Sequence, residues 1–237
     1  MRSTLLGLWS YRRQKGNIMK KENTKKLTVS AMMIAVATSL AAICAVIPFL
    51  NFPFGGGFTI CSMLPIVIVS YMYGVKWGLF TGGVYSIIQM ILGNGTIAAL
   101  FTPSDDSFMG FGAAVAICLI DYILAYTALG LGGIFRKKIK NKALALCLGC
   151  VLALSIRYLC HIVSGYIFYG LWAEWFFGDA IGQLAVSEWV LNTFSGASLS
   201  MVYSIVYNGC YMIPEIVITA LAAIPVARLS ELKVSEK

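Results

Sequence analysis

Charged residues are scarce in this sequence: they make up 12% of its 237 residues, with 10 Asp and Glu against 18 Lys and Arg. A soluble globular domain carries about 25%, so that class is excluded. Disorder is excluded as well, because 59% of the residues are apolar or aromatic and such a chain buries its side chains rather than solvating them. The glycines have no fixed period, which rules out a collagen-like repeat, and the seven cysteines form no spaced framework, which rules out a disulfide scaffold. There is no glycine-rich phosphate loop, metalloprotease helix or selectivity-filter motif. What is present is apolar sequence, with a mean hydropathy of +0.82. The class is integral membrane protein. A spanning helix needs about 20 apolar residues, so the length accommodates roughly five to seven spans and no separate soluble domain.

The net charge of +8 would suggest nucleic acid as the partner of a soluble protein, but the basic residues are segregated. Arg2, Arg12, Arg13, Lys15, Lys20, Lys21, Lys25 and Lys26 precede the first apolar run. Arg136, Lys137, Lys138, Lys140 and Lys142 form one cluster, and Arg228, Lys233 and Lys237 close the chain. Only Lys76 and Arg157 stand elsewhere. Positive charge gathered in short loops is the topology signal of membrane proteins, so the basic balance reports orientation and implies no nucleic acid.

The apolar runs predict an all-α bundle of six spans over residues 27–50, 58–73, 77–93, 108–135, 143–170 and 199–227, with both termini cytoplasmic. Residues 1–26 form a basic amino-terminal segment, 27–229 the membrane domain and 230–237 a tail. With residue 1 inside, Lys76, the 136–142 cluster and the tail all fall inside. The outer connections 51–57, 94–107 and 171–198 then hold no Lys or Arg but do hold Asp105, Asp106, Glu174, Asp179 and Glu188. The apolar patch 5–9 is too short and too early for a signal-peptide core, and Met19 is an equally suitable start. The second run is short and follows a turn-prone Asn51-Phe-Pro-Phe-Gly-Gly-Gly, which predicts non-helical backbone there, sheltered by protein or a water-filled cavity.

Several local signals read as packing. Cys147 and Cys150 lack a second pair and lie in an apolar helical run, so they are small buried hydrophobes rather than a metal site. Cys160 and His161 are sequence neighbours pointing about 100° apart on a helix, which does not position a thiol and its base. Gly74, Gly78 and Gly82 repeat at a spacing that lets helices approach closely. The ionisable residues inside the spans are different, because each is costly in hydrocarbon and marks a site or a buried pair. They are Asp121, Arg157, His161 and Glu215. At 1.5 Å per residue, Asp121 and Arg157 both lie about 22 Å from the inner charge clusters, so they can pair with each other or share a site.

His161, Gly165 and Tyr169 continue the face of Arg157 at four-residue steps, and the sequence predicts a hollow at Gly165 for a flat ring between imidazole and phenol. On the last span, Tyr203, Tyr207 and Tyr211 form a second stripe with Asn208 beside it. Tyrosines at this depth are also what an interfacial aromatic belt requires, whereas an intramembrane amide needs partners. Together these groups suit a small, flat, cationic ligand: aromatic faces attract a cation, Asp121 supplies countercharge, and Asn208 and Tyr203 orient it.

Arg157-Tyr-Leu-Cys-His-Ile-Val-Ser-Gly-Tyr-Ile-Phe-Tyr169, Tyr203-Ser-Ile-Val-Tyr-Asn-Gly209 and Ile120-Asp-Tyr-Ile-Leu-Ala-Tyr126 resemble the thiamine-specific S component of energy-coupling factor (ECF) transporters. The resemblance covers the layout from about residue 27 to 229. It implies a vitamin-binding subunit that takes thiamine near the outer face and works with a membrane T component and two ATPases, without a cofactor or metal of its own. It places ligand contacts at Asp121, Tyr122, His161, Tyr169, Tyr203 and Asn208. It places partner docking at Ala31 and Ala35, an AxxxA pattern that Ala37, Ala41 and Ala45 also satisfy. The chain departs from the family pattern in having Asp121 for a glutamate and Tyr169 for a tryptophan. The first outer connection has no tryptophan, which leaves Phe54 or Phe58 as substitutes, and the connection 171–198, with Trp172, Trp175 and Trp189, is longer. A thiamine precursor or another cationic heterocycle is an alternative ligand. A proton-coupled transporter using Asp121 and His161 is an alternative class that would show inverted repeats. An intramembrane enzyme using His161 and Cys160 is the third reading.

Overall fold

The computed structural model describes residues 2–52 and 57–229. Eight helices organise them: α1 (Arg2–Ala45), α2 (Leu64–Tyr73), α3 (Val75–Leu92), α4 (Asn94–Phe101), α5 (Phe111–Gly133), α6 (Lys142–Phe168), α7 (Ala185–Thr193) and α8 (Gly196–Val226). Five segments are long and apolar enough to cross a membrane, namely Lys21–Ala45 of α1 together with α3, α5, α6 and α8. They coincide with five of the expected spans. The amino-terminal basic stretch continues into the first of them without a break in the helix. The carboxyl tail 230–237 and Phe54 lie outside the described residues.

The remaining span is built differently. Its helix, α2, has 10 residues, about 15 Å of rise, and residues 58–63 ahead of it are non-helical. Every residue from Leu64 to Tyr71 is buried, which is why the segment is apolar all round rather than amphipathic. Its neighbours shelter the irregular backbone. Gly74, with φ at 96°, joins α2 to α3 in a conformation that a side chain would strain, and Arg136 donates to the Met72 carbonyl at 3.2 Å. Local signals set the other ends. The Asn141 side chain accepts from the Leu144 amide at 3.2 Å to cap α6, and Ser195 and Ser198 form a reciprocal cap on α8.

Helix α5 is not uniform. It is α-helical to Ile117, π-helical over Cys118–Leu124, α-helical over Ala125–Thr127 and tightens to a 3-10 turn over Ala128–Gly133. Its last turn is closely crossed by its neighbours. A Cβ on Gly130 would meet the backbone of Gly78 and Leu79 on α3, one on Gly133 would meet Ser70 on α2, and one on Gly149 of α6 would meet the Gly132 carbonyl. Ser70 ties the crossing together, donating from its hydroxyl to the Gly130 carbonyl and accepting from the Gly133 amide at 2.9 Å. Ile66, Val67, Tyr71, Tyr85, Leu129, Leu146, Leu154 and Met212 form the core around it. Outward-facing Phe80, Ile91, Leu159 and Leu221 are exposed, as lipid contact requires.

The connection after α6 is ordered. Phe176 and Phe177 are buried against Val190 of α7 and Leu199 and Tyr203 of α8, so it forms a second, smaller apolar cluster over one end of the bundle.

Candidate functional site

A cavity of about 480 Å³ opens among α5, α6, α8 and the connections that include α4 and the turn after α6. Helix α5 runs from this cavity toward Arg136, so the site occupies the end of the bundle away from the basic cluster. Asp121, Tyr122, His161, Tyr169, Tyr203 and Asn208 all line it. The structure thus brings together, in one concavity, the six residues selected from three separate spans.

Their geometry is defined by hydrogen bonds. Asp121 sits within the π-helical stretch of α5, a deviation often found where a helix must present a side chain. One of its carboxylate oxygens lies 2.9 Å from Nδ1 of His161, and the other accepts from the Ser164 hydroxyl at 2.7 Å. His161 is buried, and its Nε2 has no hydrogen-bond partner. Asn208 donates from Nδ2 to the carbonyls of Ser204 at 2.8 Å and His161 at 3.2 Å, and accepts from the Tyr211 hydroxyl at 2.5 Å. These are the partners its amide demands, and they brace α8 against α6. Tyr203, Tyr207 and Tyr211 follow one another along α8 with ring centroids 5.3 and 6.4 Å apart. Phe176, in the connection after α6, packs edge-on against Tyr203 at 5.4 Å and Tyr207 at 5.5 Å.

One open alternative is decided and one expectation needs correction. Arg157 lines the cavity together with Asp121 but does not pair with it. Its guanidinium lies 3.6 Å from the Glu215 carboxylate, donates to the Tyr126 hydroxyl at 3.1 Å and stacks over the Tyr126 ring at 4.4 Å. Equal depth is necessary for a pair but not sufficient, because the rotation of each helix decides what faces what, and the π-helical turn shifts the face of α5 at that level. Gly165 does line the cavity, but the space its side chain would take is filled by Ser204 and Asn208. Its smallness serves the approach of α8 to α6.

Other lining residues were not selected from the sequence. Tyr126, Trp172 and Trp175 stand in the wall. Tyr126 lies one turn beyond Tyr122, so helical spacing contained its signal. The tryptophans arrive through the fold of the connection 171–198, which has no periodicity to read. Phe58 belongs to an adjoining cavity between α1 and α3 that also touches Tyr122 and Tyr126. Among the described residues no group of three or more His, Cys, Asp or Glu could hold a metal ion. All seven cysteines are free thiols.

Ala31 and Ala35 are exposed on the outer surface of α1, whereas Ala37 and Ala41 are buried. Two of the AxxxA choices are thereby separated by environment.

Comparison with known proteins agrees with this architecture. The sequence profile of a family described as "Thiamine transporter protein (Thia_YuaJ)" matches residues 29–175. The chain is 30% identical over 210 residues to the thiamine transporter ThiT of Bacillus subtilis (strain 168), covering 84% of this chain and 90% of that protein. A solved structure of ThiT from Listeria monocytogenes superposes with a TM-score of 0.60 at 18% identity, over 90% of this chain and all of that one; at that identity the likeness concerns the fold.

Proposed function

The chain belongs to the thiamine transporter family, and from that premise we propose that it is a thiamine-binding S component, taking the vitamin into the cavity around Asp121 near the outer face. As a family member it is a multi-pass transport protein of the cell membrane, not an enzyme. The observation that carries the finer reading is the charge balance of the cavity. Arg157 also stands in the wall but is matched by Glu215, which leaves the charge of Asp121 to a ligand among the tyrosines and tryptophans that line the cavity with it. Such a wall favours a flat cation: tyrosine and tryptophan faces attract positive charge and aromatic rings stack on them. The contacts proposed are Asp121, Tyr122, His161, Tyr169, Tyr203 and Asn208, with Trp172 beside them. Titrating thiamine into the purified chain, without partners or ATP, tests this. Saturable tight binding is expected, and a folded protein that binds none overturns it. A thiamine precursor or other cationic heterocycle that binds more tightly moves the assignment to that compound.

Delivery is proposed to require a T component and two ATPases, docked through the exposed small residues Ala31 and Ala35. Close approach of two helices in a membrane needs small side chains at the contact, and this face of α1 is unoccupied by the bundle itself. Ala35→Trp should therefore abolish thiamine uptake by cells that carry the partners, while the purified variant keeps its thiamine affinity. Loss of binding in that variant would remove the docking assignment.

A further inference from the structure

The adjoining cavity between α1 and α3 has a volume of about 440 Å³, within the range of ligand pockets, about 300–1,000 Å³. Gly57, Tyr122 and Tyr126 border it and the main cavity alike, so side chains rather than a helix divide the two. Tyr126 is fixed: its hydroxyl accepts from Arg157 at 3.1 Å, the guanidinium covers its ring and Tyr85 meets it edge-on at 5.6 Å. Tyr122 is placed by its ring, 6.4 Å from that of Tyr126, and by the lack of a side chain at Gly93, where a Cβ would stand 2.8 Å from its hydroxyl. Rotation of that one side chain would join the two spaces without moving backbone. Their chemistry differs. Among the described residues that line the second cavity, none is charged. Its polar side chains are engaged elsewhere: Asn51 donates to the carbonyls of Ala45 at 3.1 Å and Ile47 at 2.9 Å, Thr59 to the Glu215 carboxylate and Gln89 to the Tyr85 hydroxyl. What they leave is apolar wall, including Ala41, Phe58 and Leu92. An anionic group entering it would lose its hydration and find no countercharge, whereas a neutral apolar group gains by leaving water.

We infer that the second cavity is an annex of the first, admitting a neutral apolar arm of the bound cation past Tyr122, so that the site takes flat cations with an uncharged extension and disfavours those with an anionic one. The inference rests on the reading that the main cavity takes thiamine, and it adds a second subsite with its own selectivity. Charge is recognised at Asp121 and apolar bulk beyond Tyr122, on different helices. In thiamine the hydroxyethyl group is the neutral arm that can be extended without changing either ring or the charge.

Affinities of the purified full chain for four compounds test this: thiamine, its methyl ether, its benzyl ether and its monophosphate ester, all altered only at the hydroxyethyl oxygen. The methyl ether is the reference for the benzyl ether, because both have lost the same hydroxyl donor. The benzyl ether should bind about tenfold more tightly than the methyl ether, the scale of burying one ring after part of the gain is spent on ordering it. The monophosphate should bind more weakly than thiamine. Filling the annex should remove the benzyl gain alone. Ala41→Leu from α1 and Leu92→Phe from α3 should each bring the benzyl-to-methyl ratio near unity while thiamine affinity stays within about twofold. The two fill the space from different helices, so if one fails to fold the other decides. A benzyl ether no tighter than the methyl ether in the wild type, a monophosphate tighter than thiamine, or a benzyl gain that survives in a folded filling variant would each overturn the annex while leaving thiamine binding in place. A folded wild type that binds neither thiamine nor its ethers would overturn the thiamine reading and the annex with it.

Discussion

Glu215→Ala is expected to destabilise the protein by about 3–5 kcal/mol, the usual consequence of deleting one partner of a buried ion pair. Glu215 is 1% exposed and Arg157 6%, and both lie within membrane spans. The guanidinium would keep its bonds to the Tyr126 hydroxyl and the Met63 sulfur, but neither carries a compensating charge. Glu215 also accepts from the Thr59 hydroxyl, so its loss frees the non-helical chain ahead of α2 as well. Thermal unfolding in detergent should show a midpoint lowered by on the order of 10 °C. The double variant Arg157→Met, Glu215→Leu provides the check. Removing both charges leaves no orphan, and replacing a buried pair by apolar groups is often nearly neutral, so most of the lost stability should return. A single variant within about 1 kcal/mol of wild type, or a double variant no better than the single, would mean that the pair does not bear on the fold as described.

Gly130→Val should be comparably severe for a different reason. The atoms in the way are backbone atoms of Gly78 and Leu79, which cannot rotate aside as a flexible side chain would. Over-packing a core with room to adjust costs about 1–3 kcal/mol, and here accommodation requires moving α3 away from α5 as a unit. The crossing also carries the Ser70 hydroxyl, which bonds the Gly130 carbonyl and the Gly133 amide, so displacement breaks polar contacts in a region without water. A loss above about 3 kcal/mol is expected. It should be read as a lower thermal midpoint and a poor yield of monodisperse protein. Gly112→Ala is the control, because nothing lies within 4 Å of its Cβ position and alanine is the better helix former by about 1 kcal/mol. Equal damage from both changes would show that helix content, not the crossing, limits stability.

Length, hydropathy and the segregation of basic residues determined by themselves that this chain is an all-α membrane protein and where its apolar runs lie. Bilayer thickness and the cost of exposed backbone in hydrocarbon leave few other ways to arrange such a sequence. The intramembrane Asp121, Arg157, His161 and Glu215 were equally legible, since a charge placed there has to be explained. Helical spacing put Arg157, His161 and Tyr169 on one face and paired Tyr203 with Tyr207, because a helix fixes the relative directions of its own side chains.

The tertiary structure decided everything that depends on how one helix is turned toward another. It gave Arg157 to Glu215 and Asp121 to His161 and Ser164, at depths that spacing alone could not distinguish. It turned Ala31 and Ala35 outward and Ala37 and Ala41 inward, though all satisfy the same four-residue pattern. It filled the space beside Gly165 with Ser204 and brought Trp172 and Trp175 to the cavity from a connection with no period. Sequence periodicity specifies positions around a helix's own axis, while the rotation of that axis and the path of an irregular loop are set by packing among all the segments at once. The π-helical turn at Asp121 belongs to the second kind, because inserting one residue into a turn changes the face a helix presents without changing the residues that compose it.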